Sequence, residues 1–234
     1  MVRIYKIASV LLLGAALAGC PAGVRPPSPP TPTPTPAPAP EVKGATLFTV
    51  DSAASDVNIL VYRGGPMARL GHNHVMTARS VTGQVVLHPA AEQSSFELSF
   101  PVAELIVDDA AARQAAGADF PDEIPQKDRD GTRRNMLKPE VLDGEHFDRV
   151  LLKSVRVIGP LQSARIVTRI TIKDVSRDIE VPVSIATTPA GVTASGQFAI
   201  RQTDFGIEPF SIGMGALVVV DQIQVRFKIV AQRR

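Results

Sequence analysis

Leu217 to Ile229 reads LVVVDQIQVRFKI. In an extended chain, successive side chains point to opposite faces. Leu217, Val219, Ile223, Val225, Phe227 and Ile229 therefore share one face, and Gln222, Gln224, Arg226 and Lys228 share the other. A strand that is dry on one side and wet on the other belongs to an antiparallel sheet with one covered face. The same period runs upstream. Val57, Ile59 and Val61 alternate with polar neighbours, as do Val81, Gly83, Val85 and Leu87, and Phe96, Leu98 and Phe100. Ile166, Ile170 and Ile172 follow, then Ile179, Val181, Val183 and Ile185, then Val192, Ala194, Phe198 and Ile200. So many one-sided strands predict an all-β, antiparallel barrel, since closure removes sheet edges and encloses the dry face.

The middle of the chain breaks the pattern. Asp108 to Ala118 (DDAAARQAAGA) predicts a short helix with acidic residues at its start, where the helix dipole favours them. Thr132 to Leu142 predicts a second short helix, and the charged, proline-containing segment 120–131 between them predicts a surface excursion.

The N-terminus carries a different message. Met1 to Gly19 has a basic start (Arg3, Lys6) and a short apolar run, Ala8 to Leu17, as an export signal does. That run is about half the length a bilayer-spanning helix needs. It ends in Leu17-Ala18-Gly19-Cys20, which resembles a bacterial lipobox, with Cys20 the only cysteine in the chain. The reading is a lipoprotein signal peptide over 1–19 and acylation at Cys20, giving a membrane anchor. The alternative is an ordinary secretory signal with a cysteine nearby. Pro21, where retained lipoproteins often carry Asp, points by resemblance to the outer membrane of the bacterial envelope, facing the periplasm. From 20 to 44 the proline-rich stretch (PPTPTPTPAPAP at its centre) favours extended polyproline II, a linker whose ~20 proline-rich residues reach roughly 60 Å. The domain then occupies 45–234.

Composition excludes several chemistries. A lipidated Cys20 leaves no thiol for a disulfide, a thiolate metal site or a nucleophile. Removing Arg3 and Lys6 with the signal takes the formal charge from +2 to 0, so no nucleic-acid footprint is present. The chain has no His-Glu-x-x-His and no Gly-x-Ser-x-Gly, and the reading is a non-enzyme without a resident cofactor.

The domain resembles the YceI-like family of polyisoprenoid-binding proteins. The resemblance lies in Phe48 to Ile59, in Gly83-Gln84-Val85, in Met136-Leu137 with Leu142 to Ser154, and in Ile170 to Arg177. Its most specific part is Gly196-Gln197-Phe198 with Arg201-Gln202-Thr203-Asp204-Phe205-Gly206-Ile207. Asn135, Phe147-Asp148 and Asp174 depart from the family pattern. The resemblance implies a lipocalin-like barrel with one or two short helices inserted, enclosing a long apolar lipid of isoprenoid or quinone-like kind. The residues expected to line it are Phe96, Leu98, Phe100, Phe147, Ile170, Ile172, Val181, Val183, Phe198, Ile200, Phe205, Val225 and Phe227. The same side chains are equally those of a filled core, which would make the barrel a structural or interaction module. A third reading is metal binding by His72 and His74, two apart on a strand, with His146 as a further ligand. Arg201, Asp204 and Gly206 are read as shaping a turn, Asp204 by capping amides and Gly206 by its backbone freedom.

Overall fold

In the computed structural model, which describes residues 44–121 and 123–233, the alternating segments pair as antiparallel strands. In chain order the elements are β1 (Thr46–Val50), β2 (Asp56–Val61), β3 (Arg63–Gly64), β4 (His74–Ala78), β5 (Thr82–Leu87), β6 (Ser95–Pro101) and β7 (Ile106–Val107). Two helices follow, α1 (Ala110–Ala116) and α2 (Gln126–Met136). The rest is β8 (Arg149–Ile158), β9 (Ala164–Ile172), β10 (Val175–Thr187), β11 (Gly191–Arg201), β12 (Ser211–Ile212), β13 (Leu217–Val219) and β14 (Gln222–Arg233).

Eight strands form a ring in the order β1-β5-β6-β8-β9-β10-β11-β14, closed by pairing of β14 with β1. The free edge of β14 is shared. Its end pairs with β1 through Val50↔Ala231, while Gln224 to Lys228 pair with β2. From β2 the sheet extends to β4 and β7. The inward period holds along the wall: in β9, Ala164, Ile166, Thr168, Ile170 and Ile172 are all buried, and every residue between them is less so. Gly83 lets β5 and β6 touch. It has φ +144°, and a Cβ there would lie 2.1 Å from the Glu97 carbonyl oxygen.

Leu217 to Ile229 is not one continuous strand. Leu217–Val219 leaves the barrel to pair with β12 and β3 in a small three-stranded sheet. The break falls at Asp221, whose carboxylate accepts from the Thr203 amide (2.9 Å) and hydroxyl (2.8 Å).

The helical region also differs from expectation. α2 starts at Gln126 rather than Thr132 and ends at Met136 rather than Leu142. Pro125 supplies the start, because proline's fixed φ suits a helix entry, and Gln126 is tied to Asp130 and Arg129 by side-chain bonds within the first turns. The segment before it is not a simple surface loop, since Phe120 and Ile124 are buried. Phe120 joins Leu60, Val75 and Ala112 in a second, smaller core outside the barrel wall, with Tyr62 edge-on to the Phe120 ring at 5.3 Å. Among the described residues no helix is long and apolar enough to cross a membrane.

Candidate functional site

The barrel is not filled by its own side chains. Its interior holds an inner chamber of about 100 Å³ and an outer one of about 470 Å³. Val57, Phe100, Leu152, Phe198 and Val225 line both chambers, so the two meet at a waist. Phe227 stands edge-on to Phe198 there, with ring centroids 6.2 Å apart. Gly196 leaves room for that pair, since a Cβ on it would approach Phe227 to 2.8 Å.

Twelve of the thirteen expected lining residues face these chambers. Phe96, Leu98, Val181, Val183 and Phe227 line the inner one, Ile170, Ile172, Ile200 and Phe205 the outer, and Phe100, Phe198 and Val225 both. Phe147 is the exception. It lies in the turn between α2 and β8, where its amide donates to the Asp143 carbonyl (2.9 Å), and it lines neither chamber.

Ser94, Ser95 and Thr168 are the polar residues of the inner chamber; all its other lining residues are apolar. The outer chamber has an apolar floor and a polar mouth. Lys127, Asp128, Gly131, Thr132 and Asn135 of α2 border it, a spacing that places them on one helix face. Arg63, His72, His74 and Gln202 complete the polar lining. A helix packed only to close a greasy cavity would present an apolar stripe. α2 presents mostly polar groups.

Behind that mouth is a buried charge network. The Asp108 side chain is fully buried, and that of Arg113 is 1% exposed. Arg113 pairs with one Asp108 oxygen at 2.5 Å and also donates to the carbonyls of Asn73 (2.8 Å) and Pro121 (2.7 Å). The same carboxylate accepts from the Val75 amide at 3.0 Å and from His74 Nδ1 at 2.7 Å. Burial alone would raise the Asp108 carboxyl. The His74 hydrogen bond and charge, the Val75 amide and Arg113 outweigh it, and the group is held below the ordinary carboxylate range. With Nδ1 engaged, the imidazole edge carrying Nε2 faces the chamber side, 3.3 Å from the Thr132 hydroxyl.

The three histidines do not assemble. The His72 and His74 rings are 6.1 Å apart, but His146 is exposed in the turn after α2 with its Nδ1 on Asp143 (2.8 Å). Asp143 lifts His146 above the usual imidazole value. Among the described residues no group of three or more His, Cys, Asp or Glu is arranged to hold a metal ion. Of the turn residues, Gly206 takes φ +68° as expected, whereas the amide cap comes from Asp221 rather than Asp204. The signal peptide, Cys20 and all of the linker but Gly44 lie outside the described residues.

Sequence reading missed Asp108 and Arg113 as a site feature. A signal was present: Asp108 adds a second acid before a helix that Asp109 alone caps, through the Ala112 amide.

A closed antiparallel barrel around an apolar chamber with a polar mouth defines a lipocalin-like binding barrel. Residues 48–231 match the YceI-like domain model, and the chain belongs to that family. The crystal structure of Burkholderia cenocepacia BcnA is similar over 78% of this chain and 99% of that one, with 19% identity and a TM-score of 0.57, a likeness of fold. The Campylobacter jejuni YCEI protein matches over 67% of this chain and 83% of that one at 12% identity, TM-score 0.49. No curated protein matches the chain.

Proposed function

We propose that this protein is an envelope lipoprotein that holds one long apolar lipid, of isoprenoid or quinone-like kind, inside its barrel and keeps it out of water. The observation that carries the reading is the outer chamber of about 470 Å³, which adjoins, across the five side chains they share, an inner one that is almost wholly apolar. That volume falls in the ordinary range of small-molecule sites. A hydrocarbon chain gains roughly 0.8 kcal/mol for each methylene taken from water, so the tail supplies affinity with few polar contacts. The head group would lie at the α2 mouth, where His74, Thr132 and Asn135 border the chamber and can offer hydrogen bonds. Asp108 and Arg113 hold His74 in one orientation, so its imidazole is preorganised for that task. Acylated Cys20 and the proline-rich linker would tether the barrel to the outer membrane on its periplasmic side.

The test is native mass spectrometry, with lipid extraction, of protein produced in a bacterial envelope. A prenyl lipid is expected at about one per chain, lost when Leu152 at the waist is replaced by Trp while circular dichroism still reports the barrel. Recovery of a lipid-free wild-type protein that also fails to take up added prenyl lipid would overturn the reading.

A further inference from the structure

We infer that the small sheet beside the chamber mouth is a docking lip that inserts into the interface of an anionic lipid bilayer. The lip consists of β3 with the loop to His72, and of the β12–β13 hairpin; β13 pairs with both. Backbone bonds join the two halves further, from the Met67 amide to the Ala216 carbonyl (2.8 Å) and from the Val220 amide to the Tyr62 carbonyl (2.8 Å).

Exposed apolar side chains gather there. Among the described residues, nine large hydrophobics are exposed, and Met67, Leu70, Ile212, Met214 and Val220 of this lip are five of them. The other four are distributed over β1, β7 and β8. Met214, at 107%, stands wholly in solvent at the hairpin tip, on a turn in which Gly213, Met214 and Gly215 all have positive φ. A backbone held in that conformation to present a methionine has no packing reward on this molecule. Leu70 (58%) and Ile212 (49%) do double duty, since both also line the outer chamber. Through these two side chains the apolar lining of the chamber reaches over its rim to the outside. Patches of this kind mark interaction sites.

Charge selects the partner. Between Tyr62 and Asn73 the charged residues are Arg63 and Arg69, both exposed, and neither this stretch nor Pro209 to Val220 contains an acid. The nearest acids along the chain, Glu208 and Asp221, flank the hairpin at its base, and Asp221 is engaged with Thr203. On the α2 side of the mouth, Lys127 and Asp128 offset one another in formal charge. Two arginines beside a methionine-tipped apolar edge complement an anionic lipid surface, where each contributes about 1 kcal/mol, or about fivefold in binding. A protein partner would satisfy the apolar edge but leaves its continuity with a lipid-sized chamber without a purpose. In that purpose alone the inference rests on the proposed cargo: docking would let the lipid slide between bilayer and barrel without crossing water.

The chain contains no Trp, so Met214→Trp in the full-length protein is a single reporter. Vesicles of phosphatidylglycerol and phosphatidylethanolamine are expected to shift its emission to the blue, and brominated acyl chains to quench it. Arg63→Gln with Arg69→Gln should weaken the vesicle response about 25-fold at low salt. Leu151→Trp on the outer barrel wall, whose parent residue is 49% exposed, should not respond. Because every variant shares the same N-terminus, any anchor there cancels. A Met214→Trp signal unchanged by vesicles, or a Leu151→Trp signal that shifts equally, overturns docking. Prenyl lipid recovered from the same protein would show that the barrel reading survives such a failure, and loss of the lipid with docking intact would show the reverse.

Discussion

Asp108 combines three costs in one residue: a left-handed backbone at φ +55°, a side chain with no exposure, and a charge. Such positions persist only where the surroundings over-determine them, and they gather at functional sites. Its partner Arg113 is equally enclosed, so removing the carboxylate strands a buried cation, which costs roughly 3–5 kcal/mol. Asp108→Asn is accordingly expected to lower stability in urea by that order and to free the His74 ring. Because folding depresses the Asp108 carboxyl, its contribution is complete above the unfolded value near 4 and disappears as pH falls through the lower folded value. The wild type should lose stability across that acid window with a steeper slope than Asp108→Asn; parallel slopes would remove Asp108 from the account. Glycine positions make a second, opposite pair of expectations. Gly83→Ala forces a Cβ onto a carbonyl at 2.1 Å and should cost more than about 2 kcal/mol. Gly131→Ala, inside α2 with only the flexible end of Arg134 nearby at 3.8 Å, should gain about 0.5–1 kcal/mol. Thermal unfolding distinguishes the two.

Among the elements, β2 and β4 are covered on both faces. Val57 and Met76 look into the barrel core, while Leu60 and Val75, both with no exposure, pack outward under α1 and Phe120. The sequence carries a hint of this in Asn58-Ile59-Leu60-Val61-Tyr62, where apolar residues occupy both phases, although strict alternation by itself points only to the inward one. Phe120→Ala should therefore cost about 3–5 kcal/mol, as a core truncation does. It should also loosen the segment carrying Arg113's acceptor at Pro121, read as faster amide exchange in α1 than in β9. Exchange that stays uniform would make the outer cluster incidental. The misplaced start of α2 has a similar cause. Pro125 reads as a loop breaker in isolation, yet the same fixed φ starts a helix when the chain beyond it turns over the barrel mouth.

For the molecule as a whole, the two chambers that the side chains leave inside the barrel matter most. Apolar surface facing a void lacks partner atoms, so a bound chain that fills it stabilises the fold by mass action, about 2.7 kcal/mol at a hundredfold excess over Kd. Delipidated protein is expected to melt several degrees below the loaded form and to recover when prenyl lipid is added, as measured by calorimetry. Identical melting with and without lipid would speak against occupancy. The barrel itself was legible early. Twelve of the thirteen residues expected along the lining face the chambers, because strand alternation is a local rule that each segment obeys independently. Phe147 lies away from both chambers because it belongs to a turn, where the two-residue alternation does not fix which way a side chain points.

From residues alone came the all-β class, the inward faces of the strands, the glycine turn at Gly206 and membership of a family of barrels. These are properties of short segments, set by a two-residue period and by backbone sterics. Only tertiary structure joined His74, Asp108 and Arg113 from β4, the β7–α1 connection and α1, withheld His146 from the histidine pair, and left volume unfilled at the centre. Convergence of distant side chains and the space between packed walls depend on how whole strands are staggered and closed, and no local pattern along the chain encodes either.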